Sequence, residues 1–138
     1  MALPGPPPVS TNGSADLEQS QACGIRSGAL FCWGANDFGQ LGLGGFDPVD
    51  SPTQVGTATN WQSVSVGGTS VCAINTLTQL FCWGDDTYWP LGNYDRVGSL
   101  TPLPVDVDSQ RTYLQDVLSV AAGESSSCAV KADGSAVC

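Results

Sequence analysis

A five-residue string that repeats within this chain limits the fold more than any other feature of the sequence. The string Leu-Phe-Cys-Trp-Gly at residues 30–34 recurs at residues 80–84, fifty positions later. Leu41-Gly42 recurs as Leu91-Gly92 at the same offset. Matches that keep one spacing without a gap indicate a structural period, so the chain is built from repeated units.

Each unit reads as a set of short strands separated by turns. An apolar strand and a glycine turn precede a strand that begins at the first cysteine, and a third strand ends in the second cysteine and Trp-Gly. A period of about fifty residues made of antiparallel strands predicts all-β propeller blades, each packed against the next. In the first unit Glu18 stands where the others have Gly67 and Gly123, so we expect its first strand to be missing or degenerate. The predicted strands are 62–66, 70–75, 79–83, 117–121, 126–131 and 135–138, with the first 16 to 20 residues irregular.

The units divide the sequence into four segments. Residues 1–16 are a proline-rich, disordered N-terminus, 17–60 are a first repeat with a degenerate start, 61–113 are a second repeat, and 114–138 are a truncated third repeat. Two full blades and one truncated blade cannot close a ring, so we expect an open arc. The last residue falls within a unit, and we therefore expect the chain to be part of a longer protein. An uncovered last blade would expose apolar side chains, so we expect the isolated fragment either to self-associate or to be only marginally stable.

Composition excludes several classes of function. Thirteen acidic and four basic residues give a net charge of -9, which disfavours nucleic acid as a partner. No apolar run is long enough for a membrane helix, and no export signal is visible, so we expect no membrane insertion. The chain has no histidine and no nucleophile or phosphate-binding motif, so we predict that it is not an enzyme and uses no cofactor or metal.

A longer combination of motifs carries a family resemblance. Val-Ala-Ala-Gly at 120–123, Cys-Ala-Val at 128–130 and Phe-Cys-Trp-Gly at 31–34, followed by Asn-Asp-Phe-Gly-Gln-Leu-Gly at 36–42, resemble the repeat of the regulator of chromosome condensation family. The resemblance covers roughly residues 16 to 138. It implies a propeller that usually closes with seven blades and binds partner proteins on its rims. The form with two cysteines in each repeat resembles extracellular members, such as ectodomains of crinkly-type receptor kinases, and implies an extracellular or cell-surface location.

The sequence also departs from that family pattern. Family members often have histidine two residues before the first cysteine of a repeat, and the alignment places Ser20, Ser70 and Ser126 there. Trp89 and Pro90 replace the Gly39 and Gln40 of the first unit. With these changes the second loop is not expected to keep the conformation of the first.

The six cysteines are the sharpest chemical feature. Facing residues on the two strands of a hairpin lie near the separation that a disulfide tolerates, so pairing within each unit is expected. Buried reduced thiols are the alternative. Structural zinc fits poorly, because eight or nine residues separate the paired cysteines instead of two to four. The predicted disulfides are Cys23 with Cys32, Cys72 with Cys82, and Cys128 with Cys138.

Aromatic residues supply the candidate binding site. Trp33 and Trp83 each precede a glycine at the end of a strand and are expected to pack between blades. Phe38, Tyr88 and Trp89 lie in the loops that follow. Tyr and Trp anchor many protein interfaces, so these three residues are the candidate protein-binding loop, with a solvent-facing role as the alternative.

We therefore predict a non-catalytic module that recognises a protein or peptide, and its cysteines favour a location outside the cell. Two alternatives remain open. The first is a guanine-nucleotide exchange or regulatory factor of the chromosome condensation regulator type, with a cytoplasmic or nuclear location. The second is a secreted propeller-type enzyme inhibitor.

Overall fold

The computed structural model describes residues 9–11, 20–85, 99–105, 114–123 and 127–138. Within these ranges every regular element is a strand, and the strands form three antiparallel sheets. Sheet 1 contains β1 to β4, sheet 2 contains β5 to β8, and sheet 3 contains β9 to β11. The strands are β1 (Val9–Thr11), β2 (Gln21–Arg26), β3 (Ala29–Gly34), β4 (Val49–Gln54), β5 (Trp61–Val66), β6 (Ser70–Asn75), β7 (Leu80–Gly84), β8 (Ser99–Pro104), β9 (Val117–Ala122), β10 (Ser127–Lys131) and β11 (Ala136–Val137).

The three sheets repeat one register, and this confirms the predicted all-β repeat. Cys23 faces Cys32 across β2 and β3, and Cys72 faces Cys82 across β6 and β7. The six strands predicted from the sequence all form, and no bound differs by more than one residue. The sheets follow one another as an open arc and do not close into a ring, as expected for fewer than four blades.

Strand β1 corrects the prediction for the start of the chain. Val9 faces Gly24 in sheet 1, as Val64 faces Ala73 in sheet 2, so β1 occupies the place of the strand that was expected to be missing. The first residues were also expected to be irregular, yet 9–11 form a strand. The sequence comparison failed because β1 ends at Thr11 and β2 begins at Gln21, a longer connection than the one between Val66 and Ser70.

The register also corrects one alignment within the repeat. Gln21 faces Gly34 as Ser70 faces Gly84, so Gln21, and not Ser20, is the counterpart of Ser70. Gln21 is buried, and its Nε2 donates a hydrogen bond of 3.0 Å to the carbonyl oxygen of Gly67. This side chain therefore joins sheet 1 to sheet 2.

A fourth strand, which the strand prediction omitted, completes sheets 1 and 2. Strand β4 is polar and mostly exposed, whereas β8 mixes polar and apolar residues and is mostly half-buried; they contain Pro52 and Pro102 respectively. Proline lacks a backbone donor and is tolerated at a sheet edge, which is where both strands lie. Apolar residues alternate only weakly in such a strand, so the strand cannot be recognised from the sequence pattern.

Two apolar clusters hold the sheets together, one on each side of sheet 2. Burial of each large apolar side chain stabilises the fold by about 1.5–3 kcal/mol. The cluster between sheets 1 and 2 contains Cys23, Ile25, Leu30, Cys32, Leu41, Val55, Trp61, Val66, Val71, Ala73 and Trp83. The cluster between sheets 2 and 3 contains Cys72, Ile74, Leu80, Cys82, Val105, Leu114, Val117 and Ala129.

In sheets 1 and 2 the central hairpin turn also joins the sheet to the next one. The carbonyl oxygen of Gly28 accepts a hydrogen bond from Trp61 N, and that of Thr78 accepts one from Val117 N. Gly28 has a φ of 81°, and a Cβ there would collide with the carbonyl oxygen of Thr59. Thr78 has a φ of 62° in the equivalent turn, a conformation that a β-branched residue rarely adopts.

We expect the substitution Thr78→Gly to raise the free energy of unfolding by about 0.5–1 kcal/mol. Glycine removes the left-handed strain, and this gain exceeds the entropy that glycine adds to the unfolded chain. Urea denaturation followed by circular dichroism measures the change. Leu77→Gly is the matched control, because Leu77 has no positive φ, and it should lower stability. A loss of stability in both variants would contradict the strain at Thr78.

Candidate functional site

The loop between β3 and β4, residues 35–48, is the best-organised irregular segment that the structure describes; we call it the docking loop. Asn36 is buried at its start. The Asn36 Oδ1 accepts a hydrogen bond of 3.0 Å from Leu41 N, and its Nδ2 donates to the carbonyl oxygens of Gly45 at 3.1 Å and Asp47 at 2.8 Å. One side chain therefore ties together three points of the loop.

Gln40 fixes the middle of the docking loop against the neighbouring sheet. Its side-chain Oε1 accepts a hydrogen bond of 2.8 Å from Phe38 N. Its backbone oxygen accepts a hydrogen bond of 3.0 Å from Nε1 of Trp83, which lies on sheet 2 and is fully buried. Gly44 N donates to the carbonyl oxygen of Leu100 on β8. The loop thus has its conformation set both by its own side chains and by sheet 2.

Two aromatic side chains project from this fixed backbone. Phe38 is 44% exposed and Phe46 is 58% exposed. Phe38 belongs to the loop predicted to bind protein, whereas Tyr88 and Trp89 lie outside the described residues. The repeat comparison missed Phe46, because it has no counterpart fifty positions later. The pair Gly44-Gly45 before Phe46 was the available signal of an exposed loop tip.

The charge near the two aromatic residues is negative. Asp37 and Asp47 are exposed within the docking loop, and Asp50 is exposed at the start of β4. Among the described residues no group of three metal-binding side chains is close enough to hold an ion. A partner for this surface would gain from apolar groups over the aromatic rings and from positive charge beside the carboxylates.

A separate carboxyl group lies far along the chain, in the turn of sheet 3. Asp133 Oδ1 accepts hydrogen bonds from the hydroxyl and the backbone N–H of Ser135, and these hold the pKa of Asp133 below its ordinary value. Asp133 is fully exposed, and its hydrogen bonds shape the Asp133-Gly134 turn.

The cysteines pair as the spacing predicted. Each disulfide crosses a hairpin of one sheet, and the S–S distances are 2.14, 2.12 and 2.13 Å. The bridges differ in their surroundings, because the first two lie within the apolar clusters and the third is exposed. The disulfides are Cys23–Cys32, Cys72–Cys82 and Cys128–Cys138.

Trp83 is seated against Gly42 of the docking loop. A Cβ on Gly42 would lie 2.7 Å from Trp83 Nε1 and 3.1 Å from Val55 Cγ1, and Gly42 has a φ of 72°. Gly42 is therefore required both by the backbone conformation and by the close approach of sheet 2. Gly45, in the same loop, has no positive φ and open space where a Cβ would stand.

We expect Gly42→Ala to lower the free energy of unfolding by about 2 kcal/mol or more, because the methyl group strains the backbone and displaces Trp83. Gly45→Ala is the matched control and should change stability by less than about 0.5 kcal/mol. Denaturant titration of both variants compares them. Equal losses would show that the contact between Gly42 and Trp83 contributes nothing to stability.

The part of the chain that the structure describes contains no helix that could cross a lipid bilayer.

Comparison with known proteins finds several relatives. The Ultraviolet-B receptor UVR8 of Arabidopsis thaliana is 29% identical over 119 residues, which are 83% of this chain and 26% of UVR8. The mitochondrial RCC1 domain-containing protein RUG3 of Arabidopsis thaliana is 36% identical over 88 residues, 58% of this chain and 20% of RUG3. This chain therefore spans about a quarter of the length of these relatives.

Solved structures share the fold. Human WBSCR16 superposes with a TM-score of 0.72 at 22% identity, over 84% of this chain and 29% of WBSCR16. Yeast RCC1 (Prp20), in its complex with Kap60, superposes with a TM-score of 0.64 at 21% identity, over 84% of this chain and 29% of that protein. The three sheets are therefore blades of a β-propeller of this type.

The family model for the regulator of chromosome condensation (RCC1) repeat matches residues 27–74 and 79–130, which together are well over half of the chain. Each match begins near the central hairpin turn of one sheet and ends within the second strand of the next. A sequence repeat therefore supplies the last two strands of one blade and the first two strands of the next. The chain belongs to the regulator of chromosome condensation (RCC1) repeat family.

Proposed function

We propose that this chain is a non-catalytic recognition module that binds a basic, partly apolar protein segment through its docking loop. The observation that carries the proposal is the exposure of Phe38 and Phe46 on a backbone held by Asn36 and Gln40. A fixed loop loses little conformational entropy on binding, so exposed aromatic rings on it are effective anchors. The exposed carboxylates of the loop favour a partner with lysine or arginine beside its apolar residues.

The solved relatives support binding of protein as the general function. Yeast RCC1 (Prp20) was solved bound to Kap60, and Prp20p of Saccharomyces cerevisiae was solved together with a study of its binding to Gsp1p and histones. Those partners belong to the yeast protein. For this chain they support a protein partner, and they leave the exchange-factor alternative as the second candidate.

Selection from a random linear-peptide display library tests the docking loop. We expect peptides that combine Lys or Arg with apolar residues, and we expect their affinity to fall at least tenfold on the double substitution of Phe38 and Phe46 by serine. Leu77→Ser is the matched control, because Leu77 is an exposed apolar residue in the β6–β7 turn, away from the loop. Selected peptides that bind the double variant as well as the unchanged chain, or a selection that yields no peptide, would overturn the proposal.

We also propose that the chain functions in an oxidising compartment, at the cell surface or outside the cell. The support is that all six cysteines are bridged, since such disulfides persist where thiols are not kept reduced. Alkylation of free thiols before lysis of the native source, followed by mass spectrometry, measures their state. Alkylation of Cys72 and Cys82 would contradict this placement and favour the cytoplasmic or nuclear alternative.

A further inference from the structure

Phe46 lies in the docking loop between two peptide carbonyls that one buried side chain holds. Asn36 Nδ2 donates to the carbonyl oxygens of Gly45 at 3.1 Å and Asp47 at 2.8 Å, the residues on either side of Phe46 in the chain. Asn36 is 1% exposed, whereas Phe46 is 58% exposed. The backbone is therefore fixed from within, and the ring between the two fixed peptides is open to solvent.

The chain on both sides of the Phe46–Asp47 peptide bond is also anchored to the sheets. On the Phe46 side, Gly44 N donates a hydrogen bond of 2.9 Å to the carbonyl oxygen of Leu100 on β8. On the Asp47 side, one residue separates Asp47 from β4, which is paired with β3. A cut between Phe46 and Asp47 would therefore leave both new chain ends close to their original positions.

The two exposed aromatic residues of the docking loop differ in backbone conformation. Phe38 lies in a closed turn, in which Gly39 has a φ of 73° and donates from its N–H to the carbonyl oxygen of Asn36. Neither Phe46 nor Asp47 has a positive φ. A protease cleft binds the residues on both sides of the bond that it attacks with negative φ, so Phe46, and not Phe38, is the residue that such a cleft can accept.

We propose that the docking loop inhibits a serine protease of the chymotrypsin type by placing Phe46 in its specificity pocket; the inference rests on the proposed role of this loop as the binding surface. A large apolar pocket accepts a phenylalanine ring, whereas the trypsin pocket contains a carboxylate and the elastase pocket is small. Because Asn36 holds the loop before binding, little conformational entropy is lost in the complex. The exposed carboxylates of Asp47 and Asp50 favour a protease with basic side chains beside its cleft.

The hydrogen bonds of Asn36 explain why the loop acts as an inhibitor and not as a substrate. The protease serine Oγ attacks the carbonyl carbon of Phe46, the bond to Asp47 N breaks, and the serine proton passes through the protease histidine to that nitrogen. An acyl-enzyme and an amine result, and water is consumed only if it hydrolyses the ester. Because Asn36 and β4 hold the amine of Asp47 beside the ester, the amine attacks before water does and the peptide bond re-forms.

Assays of chymotrypsin and trypsin with chromogenic peptide substrates test the proposal. We expect the chain to inhibit chymotrypsin reversibly with an inhibition constant of about 1 μM or less, and to remain intact by mass spectrometry. Phe46→Arg should weaken this inhibition at least about tenfold and create inhibition of trypsin, because the trypsin pocket accepts a cation. Phe38→Ser is the matched control and should inhibit chymotrypsin like the unchanged chain. Leu77→Arg places an arginine in another exposed turn and should not inhibit trypsin.

The substitution Asn36→Asp separates inhibition from binding. It keeps the oxygen that accepts a hydrogen bond from Leu41 N but removes the donor to Gly45 and Asp47. We expect chymotrypsin to bind this variant and then to cleave it between Phe46 and Asp47, with the gain of one water molecule per chain by mass spectrometry. Circular dichroism and the count of bridged cysteines check that the variant is folded. If it is not, the arginine switch at the exposed Phe46 still tests the proposal.

Three results would each contradict protease inhibition by the docking loop. They are an unchanged chain that does not inhibit chymotrypsin at about 100 μM, cleavage of the unchanged chain after Phe46 as fast as cleavage of Asn36→Asp, and inhibition that Phe46→Arg leaves unaltered. Peptide binding that depends on Phe38 and Phe46, without inhibition of chymotrypsin, would overturn this inference alone and leave the proposed recognition function standing.

Discussion

Replacing Trp83 with alanine is expected to lower the free energy of unfolding by about 3–5 kcal/mol. Trp83 is fully buried between sheets 1 and 2, and its ring lies 6.4 Å from that of Trp61. The substitution leaves a cavity at the centre of the contact and removes the donor to the Gln40 carbonyl oxygen. Because folded domains are stable by only about 5–15 kcal/mol, this one change should remove much of the stability of the chain.

The repeat itself provides the control for this substitution. Trp33 occupies the same register in sheet 1 but is only half-buried, because no described sheet lies against it. We expect Trp33→Ala to cost about 1 kcal/mol. Guanidinium denaturation at a protein concentration at which both variants are monomeric compares the two. Equal losses would show that tryptophan stabilises its own sheet and that packing between sheets contributes little.

The fold could be predicted from the sequence because one period of the sequence repeat corresponds to one blade. Strings that recur at one offset place equivalent residues in equivalent strands, and the alternation of apolar residues then sets the buried faces. Repeated strings align only where the connections have similar lengths, and β1 was missed because the connection to Gln21 is longer. It also depends on an apolar pattern, and β4 and β8 were missed because edge strands with proline lack one.

The candidate site was less predictable, since loop conformation depends on contacts between residues that no periodicity relates. Phe38 was identified because it lies in the loop after a repeated strand, at the position that Tyr88 occupies in the second unit, whereas Phe46 lies where the units do not match. Asn36 organises the docking loop through hydrogen bonds to Gly45 and Asp47, and its Asn-Asp dipeptide gives no indication of these partners. Spacing identified the cysteine pairs, but only the stacking of sheets shows which of them are buried.

Removing the disulfide between Cys72 and Cys82 is expected to lower the free energy of unfolding by about 4–5 kcal/mol when both residues are replaced with alanine. Closing a loop of about ten residues accounts for somewhat under 3 kcal/mol of this by the chain-entropy estimate. The remainder comes from two buried sulfur atoms, whose removal leaves a cavity between sheets 2 and 3. Alanine is preferred to serine, because a buried hydroxyl without a partner would add its own cost.

Replacing Cys128 and Cys138 with alanine is the matched control, because the sequence separation of 10 is the same and the bridge is exposed. This double substitution should lower the free energy of unfolding only by the loop-closure contribution, about 2–3 kcal/mol.

The same difference in exposure predicts the order in which the disulfides are reduced. Dilute dithiothreitol should open Cys128–Cys138 first, since a thiolate must reach a sulfur atom to attack it. Denaturation of both double variants and mass spectrometry of partly reduced, alkylated protein measure these effects. Equal stability losses together with simultaneous reduction of all three bridges would show that burial between the sheets does not protect Cys72–Cys82, and that the sheets separate readily in solution.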